Sequence, residues 1–217
     1  MAASQQPGGA GETRPKPYHH GDLRNALLDE ALEVLRVEGS ANFTLRDLAR
    51  RVGVSHAAPY AHFPDKRALL AAVATIGFRA LCERLRAADA AAADPLERLA
   101  AIGEAYVRFG CEEPAHYRLM FTVPELRRYD GLPELERAAL DAFAVVQHAF
   151  AVLHDGAVIR SGDRQLDAVA AWSLAHGVTL LLIDSRAGID TRSPEVVEQL
   201  VRTSIATMIA GLTRPER

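Results

Sequence analysis

The amino-acid sequence predicts an all-α protein, and three observations support that prediction. Hydrophobic residues make up 49% of the 217 positions, with alanine and leucine dominant, and only 6% of the residues are aromatic. Apolar residues recur at the three- and four-residue spacing of amphipathic helices, whereas alternating β-branched runs are scarce. Proline and glycine separate the helical stretches from one another. We expect about nine helices.

The predicted helices follow one another closely after a polar arm. Residues 1–17 are small and polar and contain no core-forming residue, which predicts a flexible arm. Residues 122–133 contain Pro124, Gly131 and Pro133 and predict an irregular connection. The nine predicted helices span about 22–38, 45–52, 55–62, 65–88, 95–111, 114–121, 133–155, 164–186 and 194–212.

Charge, cysteine content and hydropathy indicate in which cellular compartment the protein is expected. The formal net charge is −3, so a protein of this composition binds nucleic acid only through a local basic surface. Cys82 and Cys111 show no CxxC spacing, which favours free, reduced, buried thiols. The longest apolar stretch, 169–183, is shorter than the roughly 20 residues of a membrane span, and no apolar signal segment is visible at the start. We expect a soluble, cytoplasmic protein.

The most informative segment is 44–66, with the sequence TLRDLARRVGVSHAAPYAHFPDK. Thr44 is a typical N-cap, Gly53 supplies a tight turn and Ser55 is placed to cap the next helix. Two short helices joined in this way form a helix-turn-helix, whose second helix enters the DNA major groove. The small residues after Ser55 keep that helix slim enough to approach base edges.

The same segment is locally basic. Between residues 44 and 67, five cations stand against two anions, a local charge of +3. The cations are Arg46, Arg50, Arg51, Lys66 and Arg67, and the anions are Asp47 and Asp65. This field suits phosphate contacts, although a generic three-helix bundle with a solvated basic face also fits the geometry.

Two other function classes are open alternatives. A di-metal helical enzyme needs Glu-x-x-His on two helices, and only Glu113 and His116 have that spacing, with Pro114 between them. HExxH, GxSxG, GxxxxGK[ST] and GxGxxG motifs are absent from the sequence. An adaptor that had lost DNA binding would be expected to lack Tyr60 and Lys66, and both are present. We therefore expect neither an enzyme nor a cofactor or metal.

Residues 18–78 closely resemble the DNA-binding domain of TetR-family repressors. The resemblance rests on Thr44-x-Arg-Asp-Leu-Ala, Gly53-Val-Ser and Tyr60-x-His-Phe-Pro-x-Lys, framed by Ala31, Leu35, Gly39, Leu69 and Leu70. It implies phosphate contacts from Thr44, Ser55, Tyr60, His62 and Lys66. It implies base contacts from Arg46, His56, Ala57, Ala58 and Ala61. One departure is Pro59, where many members have leucine.

Residues 79–217 are expected to form a ligand-binding and dimerisation domain. The pattern from Tyr106 to Phe121, together with Trp172-x-x-x-His176-Gly177, resembles a branch of TetR-family ligand domains marked by a Trp…His-Gly signature. That resemblance covers roughly 95–212 and does not identify the effector. It implies a ligand-responsive repressor that acts as a homodimer on a palindromic operator, double-stranded DNA with half-sites about one helical turn apart.

Candidate residues for the two further sites follow from residue type and helical pattern. Helix 164–186 is apolar almost all round and must be covered on both sides. The resemblance implies that it packs with 194–212 in a four-helix dimer interface, with candidates Val169, Leu180, Val197, Leu200, Val201, Ile205 and Met208. The ligand-pocket candidates, each of which also fits plain core packing, are Phe109, His116, Tyr117, Met120, Phe121, Phe143, Gln147, His148, Trp172 and His176.

Overall fold

Eight α-helices and two short 3-10 helices build the part of the chain that the structure describes. The structure is a computed structural model, and it describes residues 23–126, 128–159, 162–185 and 193–213. The α-helices are Leu23–Glu38 (α1), Leu45–Val52 (α2), Lys66–Ala91 (α3), Pro95–Glu112 (α4), Pro114–Thr122 (α5), Pro133–Asp155 (α6), Arg164–Ile183 (α7) and Pro194–Thr213 (α8). The prediction of an all-α fold is confirmed.

The prediction is wrong in detail for one helix. In place of the α-helix expected at 55–62, the structure has a single 3-10 turn, Ala58–Ala61. In the connection predicted at 122–133, Thr122 ends α5 and Pro133 begins α6, Pro124–Leu126 forms a second 3-10 turn, and residues 123 and 128–132 are irregular. The predicted arm 1–17 lies outside the described residues.

Aspartate side chains cap the first turns of three helices. The Asp65 carboxylate accepts a hydrogen bond from the Ala68 amide at 2.7 Å, at the start of α3. The carboxylate of Asp94 accepts from two amides of α4, and that of Asp163 accepts from two amides of α7. These bonds satisfy N–H groups that have no partner inside their own helix, so they place the helix starts where the sequence predicts them.

The longest helix, α3, is shared by both ends of the molecule. Its 26 residues extend about 39 Å at roughly 1.5 Å per residue. Leu69 and Leu70 pack in the core with α1, whereas Phe78, Leu81 and Leu85 lie farther along, where α3 packs against α4, α5 and α6. One continuous apolar cluster includes all five residues. The division into 18–78 and 79–217 falls inside this helix and stays a prediction.

The helix α7 is unusually apolar for its degree of burial. It spans 20 residues, Arg164–Ile183, which is long enough to cross a membrane, and an 18-residue stretch of it has a mean hydropathy of 1.6, yet only 33% of that stretch is buried. The expectation that this region is too short for a span was based on 169–183 and is wrong on length. Leu166, Leu174 and Leu181 are exposed on its outer side.

The helices α4 and α7 approach closely at Gly110. A Cβ atom at this position would lie 2.1 Å from Thr179 Cγ2 and 3.0 Å from Tyr117 Cδ2. Only a hydrogen atom leaves room there. The contact brings α7 close enough to α4 for their side chains to hydrogen-bond, as described below.

Gly110→Ala is expected to lower the free energy of unfolding by about 1–3 kcal/mol, because the added methyl overpacks the contact. The loss would occur even though alanine is the better helix former. Urea denaturation measures it. Thr179→Ser removes the opposing methyl and keeps the hydroxyl, which donates to the Ala175 carbonyl. The double variant should therefore recover part of the loss, and simple additivity would contradict the assignment.

Candidate functional site

A capping box fixes the start of α2. The amide of Asp47 donates to Thr44 Oγ1 at 3.2 Å, and Asp47 Oδ2 accepts from the Thr44 amide at 3.0 Å and from its hydroxyl at 2.7 Å. The hydrogen bond from the Thr44 side chain is the main cause that holds the pKa of Asp47 below its ordinary value of 3.8. The exposed Thr44 side chain is thereby held at the amino end of α2, as the sequence predicts.

Gly53 makes the turn after α2. It has φ 80° and ψ 29°, the left-handed conformation that glycine adopts without steric cost. The Gly53 amide donates to Arg50 O at 3.2 Å and the Val54 amide to Ala49 O at 2.9 Å. These bonds close the helix end and send the chain into the second element of the motif.

Pro59 explains why that second element is short. An α-helix would need a bond from residue 59 to the Ser55 carbonyl, and proline has no N–H to donate. The Ser55 carbonyl instead accepts from the Ala58 amide at 3.0 Å, a 3-10 pattern. Pro59 is buried, and no side chain caps the turn. The predicted capping role of Ser55 is therefore wrong.

The predicted DNA contacts share one largely exposed stretch. We call Thr44, Arg46, Ser55, His56, Ala57, Tyr60, Ala61 and His62 the recognition surface; all eight are exposed, with Tyr60 at 49%. The other two candidates, Ala58 and Lys66, are half-buried. Pro59 and Phe63 are buried beneath this surface. Alanine at positions 57 and 61 keeps part of the exposed side slim.

The local basic charge is less available than the sequence count indicates. Arg50 pairs with Asp47 at 3.3 Å, and Arg51 pairs with Glu38 at 2.7 Å and Glu30 at 3.5 Å. Within the described ranges, the Arg46 side chain has no ion pair or hydrogen bond. Neutralisation by neighbouring carboxylates therefore leaves Arg46 as the arginine of α2 that is free to meet a partner.

Lys66 and Arg67 are held by backbone carbonyls. The Lys66 ammonium donates to the carbonyl of Ala41 and lies 5.3 Å from the centre of the Phe43 ring. Arg67 donates from Nε to Glu125 O and from Nη2 to Arg128 O and Asp130 O, each at 3.0 Å. Arg67 thus ties the start of α3 to the connection between α5 and α6, a role that no sequence motif indicated.

A cavity of about 290 Å³ lies among α3, α4, α6 and α7. Three predicted pocket residues, Phe121, Phe143 and Trp172, are on its wall. The other wall residues are Phe78, Leu81, Leu85, Tyr106, Tyr129, Ala139, Leu140, Ala142, Val146 and Val169. The sequence pattern does not mark these as pocket residues, because an apolar helical stripe looks the same whether it faces a cavity or a filled core.

A hydrogen-bonded aromatic cluster lies behind the cavity wall. Tyr106 Oη is 3.1 Å from Tyr117 Oη and 3.1 Å from His176 Nδ1, and it accepts from Trp172 Nε1 at 3.1 Å. Tyr117 Oη is 2.6 Å from His176 Nδ1. Burial lowers the pKa of His176 and raises the pKa of both tyrosines, so the four side chains are uncharged near neutral pH.

The remaining pocket candidates lie elsewhere. Phe109 is fully buried, with the Arg84 guanidinium 5.4 Å from its ring centre. His116 and Met120 pack against α3 at Gly77. Gln147 and His148 are exposed on α6, because the cavity face of that helix carries residues at positions 139, 142, 143 and 146. Gln147 and His148 therefore do not line this cavity, and their role in a ligand site stays a prediction.

The predicted dimer residues divide by burial. Val201 and Ile205 are buried inside the protomer against Val107, Val178 and Leu182. Val169 is exposed at the cavity, and the other four candidates are half-buried: Leu180, Val197, Leu200 and Met208. Two of the seven candidates thus serve the internal contact of α8 with α4 and α7.

Few side chains suggest reactive chemistry. Within the described ranges, no group of three or more His, Cys, Asp or Glu residues is placed to hold a metal ion. His116 Nδ1 is 3.5 Å from Glu113 Oε2, a single pair. Cys82 is buried and Cys111 is exposed, which corrects the expectation that both are buried.

The tight turn between two short helical elements, with a slim exposed side, defines a helix-turn-helix DNA-binding protein. Residues 27–73 match the family model described as bacterial regulatory proteins, tetR family. Residues 99–204 match the model described as tetracyclin repressor-like, C-terminal domain. The chain belongs to the TetR family of transcriptional regulators, which are DNA-binding proteins and not enzymes.

The curated relatives match this chain over only part of their length. The transcriptional regulator BetI of Rhizobium meliloti is 42% identical over 83 residues, 36% of this chain and 39% of that protein. The tetracycline repressor protein class C of Escherichia coli is 49% identical over 51 residues, 24% of this chain and 23% of that protein. The chain thus spans about two-fifths or less of the curated relatives it matches.

Solved structures match over nearly the whole chain. A protein of unknown function from Rhodococcus sp. RHA1 is 31% identical, with a TM-score of 0.76, covering 92% of this chain and 100% of that one. A tetR-family regulatory protein from Rhodococcus RHA1 is 18% identical, with a TM-score of 0.72, covering 89% and 98%. The second similarity shows the fold alone, and the Trp…His-Gly branch stays a prediction.

Thr44→Ala is expected to lower the free energy of unfolding by about 1 kcal/mol, because it removes the side-chain cap of α2. Thr44→Ser keeps the hydroxyl and should remain within a few tenths of a kcal/mol of the parent. Urea unfolding without DNA measures both variants. Equal midpoints for Thr44→Ala and the parent would show that the capping box does not stabilise α2.

Proposed function

We propose that this chain is a ligand-responsive repressor, which binds a palindromic DNA operator as a homodimer in the cytoplasm. The observation that carries the proposal is the recognition surface, a slim exposed stretch placed by the Thr44 cap and the Gly53 turn. A helix-turn-helix presents such a surface to the major groove. A gel-shift assay with the intergenic DNA beside its gene tests the proposal, and indifference to that DNA at low salt would refute it.

Side-chain chemistry supports a division of roles on the recognition surface. Hydroxyl and imidazole groups of Ser55, Tyr60 and His62 donate to phosphate oxygens, and Lys66 adds charge from the start of α3. The Thr44 hydroxyl donates to Asp47 in this structure, so its proposed phosphate contact requires that bond to be exchanged. Arg46 has a free guanidinium, which suits bidentate contact with guanine. His56 offers ring nitrogens to base edges, and the alanines at 57, 58 and 61 offer apolar contact with thymine methyl groups.

The outer face of α7 supports a homodimer. Leu166, Ala170, Leu174, Gly177 and Leu181 follow one another at helical spacing, and none of them is buried. A Cβ atom at Gly177 would meet nothing within 4 Å, so a second helix has room to approach there. A partner protomer on this face would cover the apolar side chains that make α7 look like a membrane helix. Two protomers related by a twofold axis match a palindromic operator.

The course of α3 supports ligand response. Lys66 and Arg67 begin this helix next to the recognition surface, and Phe78, Leu81 and Leu85 line the cavity farther along it. A ligand in the cavity changes DNA affinity only as far as it binds one position of α3 better than another. The carbonyl contacts of Arg67 provide a second connection, because they hold the segment that carries the cavity residue Tyr129.

Tyr60→Phe is expected to weaken binding to every DNA duplex by a similar factor, because a phosphate contact carries no sequence information. His56→Ala should instead change the order of preference among operators that differ by one base pair. Fluorescence anisotropy with a panel of duplexes measures both effects. Arg86→Ala, an exposed arginine about 30 Å along α3 from Lys66, is the control and should change neither. A uniform loss for His56→Ala would contradict its base-reading role.

Leu181→Glu is expected to raise the dimer dissociation constant at least about tenfold, because it places an unpaired carboxylate in each half of the proposed interface. Sedimentation velocity over a range of concentrations measures it. Val37→Glu makes a similar change at a site that is 73% exposed on α1 and serves as the control. A dimer unaffected by Leu181→Glu would place the interface elsewhere.

A further inference from the structure

We propose that the cavity takes a neutral, mainly apolar molecule of two or three rings, with one polar group that hydrogen-bonds to the Tyr129 hydroxyl. This inference rests on the proposed ligand response and names the chemical class of the ligand. Three properties of the cavity lead to this inference: the lack of ionised side chains on the described wall, the hydrogen-bonding groups of the wall, and the cavity volume.

The cavity walls disfavour a charged ligand. Among the described residues that line the cavity, no side chain is ionised near neutral pH. Rings make up much of the surface: Phe78 meets Phe121 edge-on at 5.3 Å between centroids, and Phe143 meets Trp172 at 6.1 Å. A carboxylate or ammonium group would leave water without gaining an ionic partner, which is costly. Aromatic walls favour flat apolar rings.

Among the described polar side chains of the cavity wall, one has a hydrogen-bonding group without a partner. The Trp172 N–H donates to the Tyr106 oxygen, which is also hydrogen-bonded to Tyr117 and His176. The Tyr129 hydroxyl has no hydrogen-bond partner in the part of the chain that the structure describes. Burial raises the pKa of Tyr129, so its proton is retained. This hydroxyl can donate to, or accept from, one polar group of a ligand.

The volume limits the size. An apolar cavity of about 150 Å³ accepts a single benzene ring. The present cavity has about 290 Å³, which is enough for two or three rings. The neighbouring apolar space between α4, α7 and α8 has about 30 Å³ and admits nothing larger than a water molecule. Leu140 and Val169 line the larger cavity and are also exposed, so it reaches the surface between α6 and α7.

A matched pair of fluorescent probes tests the charge and ring requirements on the full chain. N-phenyl-1-naphthylamine is neutral and has three rings, and 1-anilinonaphthalene-8-sulfonate has the same rings with an added sulfonate. We expect the neutral probe to bind at least about tenfold more tightly, because the sulfonate finds no partner in the cavity. Equal or tighter binding of the sulfonate, or no binding of the neutral probe, would overturn the inference.

Three variants locate the probe. Ala139→Phe fills the cavity from α6 and should weaken binding of the neutral probe at least about tenfold. Ala87→Phe adds the same ring at an exposed position on α3 and should leave binding unchanged. Tyr129→Phe should weaken it about threefold to tenfold by removing the partner of the probe amine. Probe binding that survives Ala139→Phe would show that it occurs outside the cavity, and an unchanged affinity in Tyr129→Phe would overturn the assigned polar contact.

Operator binding by the same protein preparations separates this inference from the proposed function. If the protein binds the neutral probe as expected but ignores operator DNA, the cavity inference stands and the repressor proposal fails. If it binds operator DNA but prefers the sulfonate, the repressor proposal stands and the inferred ligand class is wrong.

Discussion

The rest of the structure depends on one constraint: α3 packs along its whole length into one continuous apolar cluster, with α1 near its start and with α4, α5 and α6 farther along. Near its start, Leu69 and Leu70 are part of the core around α1, and farther along Phe78, Leu81 and Leu85 face the core and cavity of the larger helical part. Because protein cores are close-packed, a helix shared in this way cannot shift at one end without disturbing contacts at the other. That property is what a regulator needs if a ligand is to alter DNA binding.

Local backbone chemistry shapes the helix-turn-helix. The Thr44 and Asp47 bonds orient α2, and the left-handed Gly53 reverses the chain. Pro59 then allows only a 3-10 turn, which leaves Tyr60, Ala61 and His62 exposed while Pro59 itself is buried. Near this surface, Arg50 and Arg51 are paired with carboxylates and Arg67 is held by backbone carbonyls.

The cavity end of the molecule has few polar side chains, and those of Tyr106 and Trp172 are hydrogen-bonded to their neighbours. Tyr106, Tyr117, His176 and Trp172 form a mutual hydrogen-bonded cluster, which avoids the cost of unpaired buried groups. The close approach of α4 and α7 at Gly110 brings this cluster together. The rest of the cavity wall is aromatic and aliphatic, apart from Tyr129, whose hydroxyl has no partner among the described residues.

The sequence alone determined the helical class, the helix starts at Asp65, Asp94 and Pro114, and the turn at Gly53, because caps, prolines and glycines act on neighbouring backbone. It also indicated Phe121, Phe143 and Trp172 as pocket residues, together with Gln147 and His148, which the structure exposes. Only the tertiary structure decided that Arg67 binds the carbonyls of a segment about 60 positions away. It also decided that Val201 and Ile205 pack inside the protomer. It placed Tyr106 and Tyr129 on the wall of a cavity. These features depend on which helix faces meet, and periodicity shows that a face is apolar without showing what covers it.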